Sequence, residues 1–261
     1  MALYKSKNPA LNVNTFEKIR VDGESSHLMT IQGTINKINI LGLIVLASAG
    51  LTWYLFENSD KIVFYHNVDT LLDCTAGGSI LGFLVAIVII IKKSSAQYLA
   101  PLYCIFEGVA VGGLSIIMDS IYPGIVLQAL LLTFAILFSL IFIYRLGLIK
   151  ATENFKLIIA SATSGIAILY LISFIGGFFN LDIPLIHDND LWGILFSLFV
   201  VAVAALNLVI DFDFIENGAK SNAPKYMEWY AAFGLMVTII WLYLEILRLL
   251  SKFYKTSDDE S

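Results

Sequence analysis

Seven long apolar runs constrain this chain more than any other feature of its sequence. A helix rises about 1.5 Å per residue, so about 20 apolar residues cross the roughly 30 Å of hydrocarbon in a bilayer. Of the 261 residues 58% are hydrophobic and 14% are charged, a composition too apolar for a soluble domain. The runs cover approximately residues 38–56, 76–91, 99–118, 125–144, 157–179, 191–214 and 227–250. We therefore predict an all-α polytopic membrane protein, a bundle of seven transmembrane helices.

The connections between the runs are brief, so the sequence predicts no inserted soluble domain. We divide the chain into an N-terminal tail at residues 1–37, a transmembrane domain at 38–250 and a polar C-terminal tail at 251–261. The tail at 1–37 lacks the apolar core of a cleavable signal peptide. The ten-residue alternating stretches of a membrane β-barrel are absent from the sequence.

The distribution of lysine and arginine predicts the orientation in the membrane. Twelve of the 16 basic residues lie in the N-terminal tail and in the second, fourth and sixth loops, and four lie on the opposite side. Basic residues favour the cytoplasmic side. We expect an integral membrane protein with its N-terminus in the cytoplasm. Seven full spans would place the C-terminus outside, and a re-entrant sixth or seventh run would return it inside.

Carboxylates near the end of the sixth run are the first candidates for function. Asp211 and Asp213 are two positions apart, about 200° around an ideal helix, so they do not share a face. Asp211 shares a face with Asn207, and Asp213 shares one with Glu216. An acid at membrane depth needs a partner, a proton or water. Either these acids are wetted helix ends, or they form a buried pair that shares a proton and responds to pH as a unit.

Further acids lie in the third and seventh runs. Glu107 lies near the middle of the third run, and no basic residue occurs in the middle of any run. Glu107 is therefore either a neutral structural hydrogen-bonding group or part of an acid-lined interior that suits cations. Glu228 begins the seventh run near the level of Asp213, so a pairing of the two is geometrically feasible. Glu245 and Arg248 are three apart and are expected to pair with each other.

The sequence offers no pattern typical of a membrane enzyme. It contains no HExxH, GxSxG or Walker sequence, and no serine–lysine or serine–histidine pair inside the runs. His27, His66 and His187 lie in the tail or loops and form no metal-binding set, and Cys74 and Cys104 lack metal-ligand spacing. We predict no enzymatic activity and no cofactor. Whether the chain holds a metal is left open, and its net charge of −5 gives no indication of nucleic-acid binding.

Several separated stretches resemble one known family. Residues 205–250, ALNLVIDFDFIENGAKSNAPKYMEWYAAFGLMVTIIWLYLEILRLL, are similar to the C-terminal signature of the Bax inhibitor-1 (YccA-like) family. The stretches MTIQGTINK at residues 29–37, FEG at 106–108 and YPGIVLQA at 122–129 resemble its bacterial branch. The resemblance covers about residues 28–250.

This resemblance implies a seven-helix bundle with the last helix central, which acts as a pH-sensitive calcium leak. It also implies a gate in which an aspartate late in the sixth helix pairs with an aspartate of the seventh. The sixth-helix aspartate corresponds to Asp213, whereas the seventh-helix position is occupied by Thr238. Because threonine is not an acid, the second carboxylate would come from Asp211, Glu216, Glu228 or Glu107, or the gating is lost.

Two functional hypotheses follow from the residues and the resemblance. The first is a passive leak for calcium or other cations, gated by protonation of Asp213 and a neighbouring acid, with Glu107 and Asn207 as polar groups within the membrane. The second is a membrane interaction protein that modulates a partner such as a membrane protease or a stress-response complex, without transport. The lipid bilayer is a partner in both.

Overall fold

The computed structural model describes residues 28–57, 64–177, 179 and 190–259. The described residues form seven α-helices and one 3₁₀ turn, Lys93–Ser95. The helices are α1 Ile31–Glu57, α2 Phe64–Ile91, α3 Ala96–Ile121, α4 Ile125–Arg145, α5 Glu153–Gly177, α6 Leu191–Lys220 and α7 Met227–Asp259. All seven are long and apolar enough to cross a membrane, which confirms the predicted seven-helix fold class.

Four helices extend by six residues or more at one end beyond the apolar runs that predicted them, and α2 has the largest extension, since it begins at Phe64 and not at 76. α1 begins at Ile31 and not at 38, α6 continues to Lys220, and α7 continues to Asp259. Most of the added residues are polar, so they lower the hydropathy of a window without breaking the helix. The predicted tail boundaries at 37 and 251 therefore fall inside α1 and α7. Most of the N-terminal tail, residues 1–27, lies outside the described residues.

The chain divides into two compact units, and each unit includes part of α6 and part of α7. The first comprises the residues up to Ile117 together with Asp211–Met236, and the second comprises Met118–Ile210 together with Val237–Ser261. α7 has the largest buried share of the seven candidate spans, 56% of its most apolar window, whereas α5 has 11%. The enclosed last helix agrees with the architecture that the resemblance implies.

Small residues bring helices of the first unit into close contact. A Cβ added to Gly108 would lie 2.8 Å from the carbonyl oxygen of Val45, and one added to Gly112 would lie 2.8 Å from that of Ala49. Backbone contact at these distances requires glycine and lets α1 and α3 pack closely. The spacing of Gly108 and Gly112 in the sequence predicts such packing, and the structure confirms it.

Four-residue spacing of small residues on α5 predicts a second close contact, which the described residues do not form. Ser161 and Gly165 have the same four-residue spacing, yet both are exposed. A Cβ added to Gly165 would meet no atom of the described chain within 4 Å. The buried face of α5 instead uses Ile166, which packs with Val200 and Val203 of α6 in the second unit. Small-residue spacing marks a face that permits close approach and does not determine which face is covered.

Candidate functional site

The acids at the end of α6 lie on continuous helix. Asp211, Asp213 and Glu216 are all half-buried, and α6 ends four residues after Glu216. The Asn217 side chain donates a hydrogen bond of 2.8 Å to Asp213 Oδ2. Glu216 forms an ion pair with Lys220 one turn later. The structure thus gives Glu216 a cation on its own helix, whereas the hydrogen bond to Asp213 comes from a neutral amide.

The loop after α6 is held by the segment that precedes α1. Asn222 adopts a left-handed backbone with φ 53°, which turns the chain toward α7. Leu28 and Pro224 form an isolated antiparallel bridge. The backbone N–H of Met29 donates a hydrogen bond of 2.7 Å to the carbonyl of Ala223. Residues near the start of the described chain therefore fix the α6–α7 loop.

Glu228, in the first turn of α7, is the most enclosed of the predicted gate residues. Its side chain is 0% exposed. Oε1 accepts hydrogen bonds from the backbone N–H and the hydroxyl of Thr30, both at 3.0 Å. Lys37 Nζ lies 3.0 Å from Oε2, and Lys225 Nζ lies 3.7 Å from Oε1. The contacts that neutralise Glu228 thus come from α1 and from the adjacent loop.

Lys37 and Thr30 are the functional neighbours that the sequence reasoning missed. Lys37 was assigned to the N-terminal tail, yet it lies in the second turn of α1 and is 5.8 Å from the centre of the Trp229 ring. Thr30 caps α1, since its hydroxyl accepts a hydrogen bond of 2.9 Å from the N–H of Gly33. A threonine directly before an apolar helix is a typical N-cap, so this signal could have placed the helix start at Ile31.

Glu107 lies twelve residues into α3, and its carboxylate rests against the backbone of α2. A Cβ added to Gly82 would lie 2.8 Å from Glu107 Oε1. The side chain is half-buried. Among the described residues no lysine or arginine forms an ion pair with Glu107. The prediction of a mid-helix acid without a cation beside it therefore agrees with this part of the chain.

Asn207, predicted as a polar group of the interior, connects two helices of the second unit. Its amide donates hydrogen bonds to Thr163 Oγ1 of α5 at 2.8 Å and to the carbonyl of Val203 at 2.9 Å. The amide of Asn207 therefore bonds to two protein groups, which is the geometry of a structural link between helices.

Thr238 occupies the position where the resemblance implies an acid, and its side chain is buried.

A second buried glutamate lies further along α7. Glu245 is 2% exposed and pairs with Arg248 at 3.1 Å, as their spacing predicts. Tyr170 of α5 donates from its hydroxyl to Glu245, with distances of 3.0 and 3.1 Å to the two oxygens. The Trp241 ring N–H lies 3.2 Å from Oε1. Sequence spacing identified Arg248, but nothing in the sequence indicated Tyr170.

No metal centre is evident in the described ranges. They contain no group of three or more histidine, cysteine, aspartate or glutamate side chains that could hold an ion. Of the three histidines, His27 and His187 lie outside the described residues.

Burial raises the pKa of the Tyr226 hydroxyl in the α6–α7 loop above its ordinary value, so this hydroxyl stays protonated near neutral pH.

Comparison with known proteins gives one clear result. A family model described as Bax inhibitor 1 like matches residues 8–255. Neither a curated protein nor a solved structure gives a significant match. The family match covers nearly the whole chain, including α1 to α6, most of α7 and the acids of α3, α6 and α7. The chain therefore belongs to the Bax inhibitor-1-like family.

Proposed function

We propose that this membrane protein is a passive leak for calcium or other cations, with a gate of carboxylates near the end of α6 that responds to pH. Membership of the Bax inhibitor-1-like family supports this proposal, since the resemblance implies that activity. The proposal places the chain in a bacterial plasma membrane, as the resemblance to the bacterial branch implies. The distribution of basic residues predicts that its N-terminus lies in the cytoplasm. It involves no catalytic step and no cofactor.

The observation that carries the proposal is the environment of Glu107. This carboxyl group lies within a membrane-spanning helix, against Gly82, without an ion pair to any described lysine or arginine. An acid in such a place is satisfied by a proton, by water or by a passing cation. A pathway lined by acids attracts cations and repels anions. Glu107 is therefore the group we assign to the ion pathway.

The contacts at the end of α6 narrow the choice of gate residues. Glu216 pairs with Lys220, and Glu228 pairs with Lys37, so each already has a cation beside it. Asp213 accepts a hydrogen bond of 2.8 Å from the neutral amide of Asn217. We assign the pH response to Asp213, with Asp211 as the neighbouring acid, because the family resemblance places the sixth-helix aspartate of the gate at Asp213.

Reconstitution into liposomes with an entrapped calcium dye tests the proposal. We expect calcium entry that changes between pH 6 and pH 8, and a changed pH dependence in Asp213→Asn. Glu107→Gln should lower the flux most at pH 8, where the carboxyl group is most ionised, because it removes the charge that attracts the cation. Glu153→Gln, at the exposed start of α5, is the matched control and should leave flux unchanged. Purified protein that gives no flux at any pH would contradict the proposal.

The second candidate is a membrane interaction protein that modulates a protease or a stress complex. One feature favours it, a groove of about 360 Å³ between α4 and α6 of the second unit. Its lining includes the small residues Ala135, Ser139, Ala202 and Ala205. Small side chains permit close approach of another transmembrane helix. Absence of flux, with loss of partner association on Ala202→Leu, would favour this function over the leak.

A further inference from the structure

Residues 28–37, which we name the strap, cross the α6–α7 loop and attach to it at two levels. The first level is main chain, where Leu28 pairs with Pro224 and Met29 donates to Ala223. These contacts join the beginning of the described chain to a loop nearly 200 residues later. The strap and the loop belong to the same compact unit, as do the last ten residues of α6 and the first ten of α7.

The second level of attachment is the Glu228 carboxylate. Thr30 donates to Oε1 through both its N–H and its hydroxyl, and Lys37 reaches Oε2. Thr30 and Lys37 are seven positions apart, which is about two helical turns. They therefore lie on the same face of the helix and both contact the Glu228 carboxylate. Gly33 lies between them, and a Cβ added there would collide with the carboxylate. The glycine thus lets the helix backbone close over Glu228.

The ion pair between Lys37 and Glu228 differs from an apolar contact in how readily it can be broken. Apolar residues of similar volume hold two elements together at least as well as a buried ion pair, whereas removal of one partner from a buried pair is strongly unfavourable. Glu228 has no exposed surface, while Lys37 is 21% exposed and Lys225 is 50% exposed. Lys37 would therefore return to water when the strap lifts. Lys225 belongs to the loop and stays three positions from Glu228, so the carboxylate would keep one cation nearby.

We propose that the strap is a latch on the α6–α7 loop, with Glu228 as its fastener. While the strap is attached, the loop and the first turn of α7 are held in the arrangement seen here. When the strap detaches, the loop is free to move together with the acid-bearing end of α6. On the proposed function, on which this last step rests, the attached strap restrains the cation leak and its release increases it.

Hydrogen exchange tests attachment without any measurement of flux. The N–H groups of Met29 and Thr30 are bonded to Ala223 and Glu228, so their exchange reports the strap directly. In Glu228→Gln we expect these two amides to exchange at least tenfold faster, because a glutamine amide faces Lys37 in place of a carboxylate. Glu245→Gln changes the other buried glutamate of α7 and should leave them unchanged. Equal exchange in Glu228→Gln and the parent protein would overturn the proposal.

A second variant guards against misfolding of Glu228→Gln. Lys37→Gln keeps the carboxylate and its two bonds from Thr30, and we expect exchange of the same amides to rise about threefold. If Glu228→Gln does not fold, unchanged exchange in Lys37→Gln would overturn the proposal.

A reversible crosslink tests the effect on transport. Residues paired across an antiparallel bridge have Cα atoms about 4.5–5.5 Å apart, within the range that a disulfide spans. In a background with Cys74→Ser and Cys104→Ala, the pair Leu28→Cys and Pro224→Cys should form a disulfide that lowers calcium flux at least fivefold. Reductant should restore the flux, and each single cysteine variant should be insensitive to oxidant.

The two experiments separate the two proposals. Absence of flux in the parent protein would overturn the leak, while the exchange of Met29 and Thr30 would still decide whether the strap is a latch. Flux that is normal in the parent and unchanged by the disulfide would overturn control of the leak by the strap.

Discussion

The two buried glutamates of α7 differ in where their closest cation comes from. Glu245 has its cation on its own helix, since Arg248 is one turn away and Trp241 is one turn before it. Glu228 has its nearest cation, Lys37, on α1, and its neutral donor Thr30 is 198 positions distant in the sequence. Formation of α7 alone brings Glu245 to Arg248. Glu228 meets Lys37 only when α1 and α7 are packed together.

This difference shows which charge can report a change of conformation. An intrahelical pair persists while its helix persists, so Glu245 keeps Arg248 through movements of other helices. An interhelical pair is lost as soon as the helices separate, and a buried carboxylate then needs water. Glu228 therefore suits a latch, whereas Glu245 suits a permanent anchor for Tyr170. The predictions below challenge this contrast, beginning with the largest effect.

The close approach at Gly33 should be the most sensitive point of the Glu228 cluster. Gly33→Ala places a methyl group against the carboxylate and should lower the free energy of unfolding by about 3 kcal/mol, the scale for disruption of a buried ion pair. Gly42→Ala on the same helix is the control, because its Cβ would meet nothing within 4 Å. That change should be neutral or stabilising by up to about 1 kcal/mol. SDS titration followed by tryptophan fluorescence measures both, and equal effects would refute the close fit.

Double-mutant cycles should distinguish the two ion pairs. We expect a coupling energy of about 2 kcal/mol between Lys37 and Glu228 and about 1 kcal/mol between Arg248 and Glu245. The reason is solvent screening, since the Lys37 side chain is 21% exposed and that of Arg248 is 41% exposed. Unfolding of the variants Lys37→Met, Glu228→Gln, Arg248→Met and Glu245→Gln, alone and in pairs, supplies the values. A larger coupling for Arg248 and Glu245 would reverse the contrast.

The Tyr170 hydroxyl tests whether the Glu245 cluster also depends on contact between helices. It donates to Glu245 and accepts a bond of 2.6 Å from Arg248 Nη1. Tyr170→Phe should cost about 1 kcal/mol in unfolding free energy, because the Arg248 pair remains. Tyr98→Phe, at a side chain that is 75% exposed, provides the matched control and should have no effect. A loss of 3 kcal/mol or more on Tyr170→Phe would mean that the stability of the Glu245 cluster also depends mainly on a contact between helices.

A neutral contact sets the lower end of the scale. Thr163→Val removes the acceptor of the Asn207 bond and should cost about 0.6 kcal/mol, the average for such bonds between membrane helices. Ser164→Ala is the control, since Ser164 bonds within its own helix to the carbonyl of Ala160. A cost at Thr163 as large as that at Gly33 would mean that charge is not what separates the clusters.

The sequence was sufficient for contacts that depend on local spacing. Seven apolar runs predicted seven helices, and the three-residue spacing of Glu245 and Arg248 predicted their pair. The ends of the helices were harder to predict from the sequence. Polar residues lie in α1 before Ile38 and in α6 after Phe214, and they remain helical although they fall outside the apolar runs. The length of an apolar run reflects the thickness of hydrocarbon that the helix crosses, and the hydrogen-bonded helix can be longer than that run.

Contacts between distant segments could not be derived from spacing. The sequence suggests Glu228 as a gate candidate beside Asp213, yet its closest ion pair, at 3.0 Å, is with Lys37 of α1. The reason is that no periodicity relates positions on α1 and α7. The role of Asp211 and Asp213 as a gate, and of Glu107 in an ion pathway, stays a prediction. Those roles concern protonation and ion movement, which the liposome experiment measures.

The length of α6 links this protein to the thickness of its membrane. Thirty residues of helix extend about 45 Å, and the hydrocarbon layer takes up only about 30 Å of that length. A helix that begins its crossing at Leu191, parallel to the membrane normal, would leave the hydrocarbon near Ile210, which would place Asp211 and Asp213 at the boundary with the headgroups. Longer acyl chains would draw both acids into oil, and shorter ones would leave them in water. On the proposed function, we expect the pH response of calcium flux to shift between vesicles made from short-chain and long-chain lipids.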